Sequence, residues 1–388
     1  MNDTRAHVAL VRCETYDQAA VYEAVGRGLS LLGGAQQFVC PGEKILLKPN
    51  LLVGIAPDRP ANTHPAVFEA VIRHLQAVGA DLRYGDCPGF GPPAGAARRA
   101  GLAAVAKELD VPLANFSDGQ IVSFPAGNLI KQFTIAQGVL ESDGLVSLPR
   151  IKTHGLTRLT GAVKNQFGCI PGLLKGEFHA RLPDAERFCQ MLVDLNRLLR
   201  PRLYVMDGIV AMEGNGPRNG DPRPLSVLLF STDPVALDAT ACRIIDLDPE
   251  LVLTNVWGEA WELGSANRVE LLGDPLDAFV TPDFVVDRQR RPIAPGKRSA
   301  LRKAMQNWVI PRPVVVPEGC TRCGTCVRVC PVTPKAIAFP SDNGRQEPPI
   351  HDYRLCIRCY CCQEMCPENA IHIETPLLGR LIHREERA

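Results

Sequence analysis

The sequence predicts an α/β protein, a mostly parallel sheet covered by helices, followed by a small C-terminal module of a different kind. Three observations carry this. Short β-type runs alternate with helical patterns from the N-terminus to about residue 280. Glycine-rich stretches follow several of the apolar runs, where a parallel sheet would carry its binding loops. Eight of the fifteen cysteines fall into two copies of one short pattern near the C-terminus.

Taken in order, residues 17–32 read as a helix that ends at Gly33-Gly34, and residues 44–48 (KILLK) as a buried strand. The next helix is marked at both ends. Pro65 suits its first turn, Val67, Phe68, Val71, Ile72 and Leu75 recur with helical spacing, and Gly79 stops it. Residues 81–85 and 145–148 are strand-like. A stripe of Phe188, Met191, Leu192, Leu195 and Leu199 predicts a helix leading through Pro201 into the strand LYVMD. Residues 226–230 form another strand-like run before the helical pattern DPVALDATACRII.

A chain of 388 residues allows two or three compact units, and 46% hydrophobic with 22% charged residues is ordinary for a globular protein. A formal charge of +1 argues against wholesale nucleic-acid binding. No apolar run approaches the ~20 residues of a membrane span, and MNDTRAHVALVRC lacks the layout of an export signal. The expected location is the cytoplasm.

The cysteine pattern is specific. Cys320, Cys323, Cys326 and Cys330 precede Pro331; Cys356, Cys359, Cys362 and Cys366 precede Pro367. Both copies read C-x2-C-x2-C-x3-C-P and resemble the run that holds cubane clusters in bacterial two-cluster ferredoxins. Two intervening residues let a tight loop point three thiolates at one cluster, while the fourth cysteine, beyond a turn, reaches the other. One 4Fe-4S cluster is therefore assigned to Cys320, Cys323, Cys326 and Cys366, and the second to Cys356, Cys359, Cys362 and Cys330. Zinc ribbons need only two separated pairs and leave the third and fourth cysteines of each copy unexplained. Cys361, beside Cys362, is expected to be a spectator. The module repeats internally: Pro313 and Pro349 each precede a first cysteine by seven residues, and each copy closes with Ala-Ile. The expected organisation is an α/β domain over 1–285, a basic linker over 286–312, an α+β bacterial-ferredoxin-like domain over 313–375, and a tail over 376–388. Within the linker, residues 288–303 carry seven basic side chains and no acidic one.

A second site is expected in the α/β domain. Residues 148–183 leave a predicted strand end and concentrate Lys152, His154, Lys164, Asn165 and His179. The loop after LYVMD offers Asp207, Glu213 and Asn215. KPNLLVGIAPDRPANTHP brings Lys48, Asn50 and His64, and GDCPGFGP brings Asp86 and Cys87. Strand-end loops of a parallel sheet can converge on one crevice, where basic groups suit a small anionic ligand. Lys152, His154, Lys164, His179 and Glu213 are the candidates for chemistry, and Lys48, Asn50, Asn165 and Asp207 for holding a cofactor.

These motifs also resemble a known family. KPN, GDxPG, PRIKTH…TGAVKNQFG…H, DGI…EGNGP and DPVALDA together resemble domain-of-unknown-function family 362 over about residues 5–275. Members often carry a C-terminal ferredoxin module. A more distant resemblance is to lactate racemases that use a nickel-pincer nucleotide, carried by His154, Lys164, Pro171-Gly172 and His179 in the same order. That resemblance implies Lys164 as a tether, His179 as a metal ligand and His154 as an acid/base. Ala162-Val163 stands where the racemases have a glycine pair.

Function follows from joining the two sites. The leading expectation is an iron–sulfur oxidoreductase passing electrons through both clusters to a substrate or cofactor in the crevice. The alternative is a non-enzymatic carrier that docks to a redox partner such as a ferredoxin or flavodoxin, helped by Arg322, Arg328, Arg354 and Arg358 around the cysteine loops. The third reading is a nickel-pincer-type isomerase. No G-x-G-x-x-G opens a helix after the first strands and no P-loop is present, so neither a nicotinamide nor a flavin site is expected.

Overall fold

The structure, a computed structural model, describes residues 5–172, 174–289, 307–340 and 345–378. Its contacts divide the chain into two units, Met1–Lys175 with Cys189–Val286, and Gly176–Phe188 with Asp287–Ala388. The basic linker lies, between residues 290 and 306, outside the described residues, as do residues 379–388 of the tail.

The first unit is built on one nine-stranded sheet. Along its main path lie β11 (Val269–Gly273), β1 (Ala6–Arg12), β10 (Asp221–Ser231), β9 (Leu203–Glu213), β6 (Gly144–Leu148), β2 (Lys44–Pro49) and β3 (Asp81–Tyr84). β7 (Arg150–His154) pairs with β9, and β8 (Arg158–Thr160) with β7. A separate hairpin joins β4 (Gly119–Ser123) to β5 (Gln132–Ala136). The sheet is mostly parallel, as the sequence predicts: β1–β11, β2–β3, β2–β6, β6–β9 and β7–β9 all run that way. The exceptions are β8, antiparallel to β7, and β10, antiparallel to both β9 and β1. Residues 214–220 explain β10, because a parallel return needs a crossover of a dozen or more residues and a loop this short allows only a hairpin.

The helices of this unit are α1 (Gln18–Leu31), α2 (Pro65–Val78), α3 (Pro93–Arg99), α4 (Leu102–Glu108), α5 (Gln137–Leu140), α6 (Ala162–Asn165), α9 (Pro234–Ile244) and α10 (Leu253–Ala260). α7 (Leu174–Arg181) and α8 (Ala185–Leu199) each begin or end in the other unit. Their ends follow local chemistry. Asp17 accepts the Ala20 N–H at 3.0 Å to start α1. His64 Nδ1 accepts the Ala66 N–H at 3.2 Å, with Pro65 as the first residue of α2. Gly79 ends α2 at φ 93°, a left-handed conformation that glycine adopts without a Cβ penalty.

Strand alternation decides which helix each residue meets. Ala9 and Val11 of β1 join a core with Val21, Val25 and Leu29 of α1 and with Phe68, Val71 and Leu75 of α2. Their neighbours Val8 and Leu10 join Ala236, Leu237 and Ala241 of α9. The sheet is thus covered on both faces, which explains the near-continuous apolar runs of its strands. At Gly28 the helix α1 approaches closely: a Cβ there would lie 2.2 Å from Phe230. Gly28→Ala is expected to destabilise the protein by about 1–3 kcal/mol, read as a lower urea midpoint with an unchanged slope.

In the second unit each half pairs with the other. β12 (Arg312–Val315) is antiparallel to β15 (Ile371–Glu374), and β13 (Ile337–Ala338) to β14 (Ile350–His351). The short helices α11 (Thr325–Val329) and α12 (Cys361–Met365) each begin inside a cysteine run.

Candidate functional site

In the first unit the predicted residues gather beyond the C-terminal ends of the parallel strands, but in two separate knots. The first centres on Lys48, near the end of β2 and fully buried. A buried ammonium needs compensation for lost water, and this one finds it in two hydrogen bonds and an ion pair. It donates to the Pro49 carbonyl at 3.1 Å and to Asn165 Oδ1 at 3.2 Å, and pairs with Asp86 at 3.1 Å. The second Asp86 oxygen accepts the Leu51 N–H at 2.7 Å. Asn50 donates to Asn165 Oδ1 at 3.2 Å, and Asn165 donates to Ser147 Oγ at 3.0 Å. Lys48, Asn50 and Asn165 are therefore together, as expected, although the charge of Lys48 is neutralised by the protein itself. Asn50 Oδ1 is buried and makes no hydrogen bond among the described residues.

The second knot centres on Arg150, one of the largest fully buried side chains. Its guanidinium donates to the carbonyls of Asn62 at 2.6 Å and Val210 at 2.7 Å, and to the Tyr16 hydroxyl at 2.7 Å. Asp207 pairs with it at 3.5 Å, and accepts the Tyr16 hydroxyl at 2.9 Å and the His64 N–H at 3.1 Å. Asp207 thus ties the loops after β1 and β2 to the middle of β9. Neither Arg150 nor Tyr16 stands out in the sequence, because nothing local distinguishes a buried strand arginine from an exposed one. His64 stacks on Tyr16 with ring centroids 3.6 Å apart, and burial pulls its pKa down to about 4.

That depression gives a pH dependence. The folded state holds His64 neutral, so the unfolded chain binds the extra proton between about pH 6.5 and about 4, and stability falls as pH falls through that window. His64→Asn retains a good helix cap and removes the titration. Between pH 7 and pH 4 the wild type is expected to lose about 2–3 kcal/mol more than this variant, in urea titrations at each pH.

The remaining candidates are spread around these knots. Lys152 is buried and donates to the Ala61 carbonyl. His154 is buried, with Nδ1 accepting the Leu156 N–H at 3.0 Å, which leaves the ring proton on Nε2 when neutral. Lys164 is half-buried on α6. That short helix is held from α9 by Asp238, whose carboxylate accepts the Ala162 and Val163 N–H groups at 2.6 and 3.1 Å; burial pushes its pKa up to about 7. Glu213 accepts the Val285 N–H at 2.9 Å. His179 lies in the other unit, where it stacks on Phe188 with centroids 4.4 Å apart.

In the second unit cysteines of the two runs converge. Cys320, Cys323, Cys326 and Cys366 line one pocket, together with Arg322 and Pro367. Burial pushes the Cys326 thiol up to about 11, and the neighbours that add to it are Cys366, Cys323 and Cys320. Burial also raises Cys362, whose sulfur neighbours are Cys359 and Cys356 of its own run and Cys326 and Cys330 of the other. The backbone repeats too. Arg322 and Gly324 flank Cys323 at φ 58° and 75°, and Arg358 and Tyr360 flank Cys359 at 62° and 61°. Such left-handed residues in a turn aim successive N–H groups into a concavity suited to anions, iron–sulfur clusters among them. No three His, Cys, Asp or Glu side chains among the described residues are grouped to hold a single metal ion. Four cysteines drawn from both runs around one pocket are the donor set that a cube-shaped cluster would take.

One expectation about side chains changes. Arg358 is buried rather than at the surface: it donates to Asn307 at 2.6 Å and lies 4.9 Å over the Tyr353 ring, so it is not available to a partner.

The model of the domain of unknown function DUF362 matches residues 45–243, just over half of the chain. The chain belongs to the DUF362 family. A relative by sequence is the thylakoid-associated protein sll1697 of Synechocystis sp., 37% identical over 306 residues, which cover 78% of this chain and 94% of that protein. Among solved structures, the lactate racemase apoprotein of Thermoanaerobacterium thermosaccharolyticum aligns at TM-score 0.38 and 11% identity, covering 61% of this chain and 56% of that one. A structural-genomics protein from Thermotoga maritima aligns at TM-score 0.34 and 13% identity, covering 68% and 63%. This DUF362 chain spans under two thirds of either solved chain, and at these scores neither likeness bears on its function. No helix among the described residues is long and apolar enough to cross a membrane.

Proposed function

We propose that the chain is an iron–sulfur redox protein that passes electrons through two 4Fe-4S clusters to a substrate or cofactor bound in its α/β unit. The observation that carries this is the crossed set of Cys320, Cys323 and Cys326 from one motif with Cys366 from the other around a single pocket. Two zinc sites formed by each motif alone would have no need of the crossing. When bound, each cluster supplies a one-electron acceptor. Lys152, His154 and Lys164 of the α/β unit are the groups assigned to hold an anionic substrate and move its protons, with Glu213 a weaker acid/base candidate. Anaerobic purification with metal and sulfide analysis tests the reading. About eight irons and eight labile sulfides per chain are expected, and zinc without sulfide would overturn it.

A second reading, a carrier without catalysis that docks to a redox partner, is favoured by a specific observation. Lys48, Arg150 and Asp207 all spend their charges on protein groups, as a structural platform would. A small organic cofactor retained by the purified protein decides for the enzyme. Nickel in the same preparation would point instead to an isomerase.

A further inference from the structure

The two halves of the cysteine-rich unit match residue by residue, which makes their differences informative. Thr325 beside Cys323 and Cys361 beside Cys359 occupy equivalent places, and each hydrogen-bonds to its cysteine. Val315 and His351 also correspond, each five residues ahead of the first cysteine of its run. Here the halves diverge. Val315 lines the pocket of Cys320, Cys323, Cys326 and Cys366 with an apolar surface. His351 instead brings Nε2 to 3.5 Å from the sulfur of Cys362.

The imidazole is held in that pose. It is paired into the sheet between β13 and β14 and stacks on Tyr353, with centroids 5.7 Å apart and planes within 5°. Tyr353 is fixed in turn: its hydroxyl donates to the Pro313 carbonyl at 2.9 Å, and the Arg312 and Arg358 guanidiniums lie 4.8 and 4.9 Å from its ring centroid. A sulfur that ligates iron carries no proton, so this contact survives metal binding only with Nε2–H as the donor. A hydrogen bond to a ligand sulfur withdraws charge from it and favours the reduced, more anionic state. The other set has donors of its own, the Ala370 N–H to Cys366 at 3.3 Å and the Thr325 hydroxyl beside Cys323 at 3.4 Å, but no imidazole.

We propose that His351 is a positioning residue for electron transfer: it donates to Cys362 and raises the reduction potential of the cluster held by Cys356, Cys359, Cys362 and Cys330. This rests on the two-cluster reading. The test is an anaerobic potentiometric titration of the full-length holoprotein, reduced with dithionite through dye mediators and followed by electron paramagnetic resonance. His351→Val, which copies the residue of the other half, is expected to move one midpoint to more negative values and leave the second in place, at unchanged iron content. A tenfold change in where an electron resides corresponds to about 59 mV for a one-electron couple. His351→Gln, which keeps an N–H donor, restores part of the shift, and Val315→His raises the other midpoint. Full iron with both midpoints unmoved in His351→Val overturns the inference while the cluster reading stands. A wild type without iron overturns both.

Discussion

Replacing Cys366 with alanine is expected to remove the cluster of Cys320, Cys323 and Cys326 and to spare the one held by its own motif. Iron falls from about eight to about four atoms per chain, and one of two reducible centres disappears. Cys330→Ala is expected to do the reverse. The reason is geometric for one set: Cys366 shares a pocket with the first three cysteines of the other run, and Cys362 has Cys359 and Cys356 of its own run as sulfur neighbours, with Cys326 and Cys330 of the other. Stability should fall as well, because a ligand set completes the small core that contains Cys326, Cys330, Cys362 and Cys366 with Ile337 and Ile371. If ligation followed sequence instead, Cys366→Ala would deplete the cluster of Cys356, Cys359 and Cys362. Selective loss, measured by iron content and by spectra of the reduced protein, separates the two arrangements.

The second large effect lies in the α/β unit. Lys48→Met is expected to destabilise the protein by about 3–5 kcal/mol, because Asp86 stays buried without its cation. Adding Asp86→Asn should recover a large part of that loss, since the uncompensated charge is gone. The coupling between the two substitutions, from urea unfolding of wild type, both single variants and the double variant, measures the pair. Additive losses would mean that Lys48 acts through something other than Asp86. A large coupling would confirm that this lysine neutralises the protein's own carboxylate, and that the positive charge offered to any ligand comes from elsewhere, with Lys164 on α6 the candidate.

How much of this was legible in the sequence depends on how local the physics is. The helix from Pro65 to Gly79 was readable at both ends because its cap, its first-turn proline and its left-handed stop are local signals. The cysteine runs were readable for the same reason, since loop spacing constrains which sulfurs can converge. β10 was recognised as a strand, but its reversed direction depends on the short loop at 214–220, whose glycines looked like those of any strand-end loop. The crevice residues were harder. Lys48, Asn50 and Asn165 were named and do meet, yet their burial and mutual satisfaction could not be read from residue type. Arg150 and Tyr16 were not singled out, because their role comes from loops more than 130 positions apart in sequence closing on one another. Arg358 shows the converse: a charged loop residue reads in the sequence as a contact for a partner, whereas Tyr353 and Asn307 bury it.

The most direct test of the whole account is the spectrum of the anaerobic, fully reduced protein. Paramagnetic signals from two neighbouring half-spin centres, with their magnetic coupling visible, are the predicted result. A preparation that stays silent under strong reductant, with zinc bound in place of iron, would contradict it.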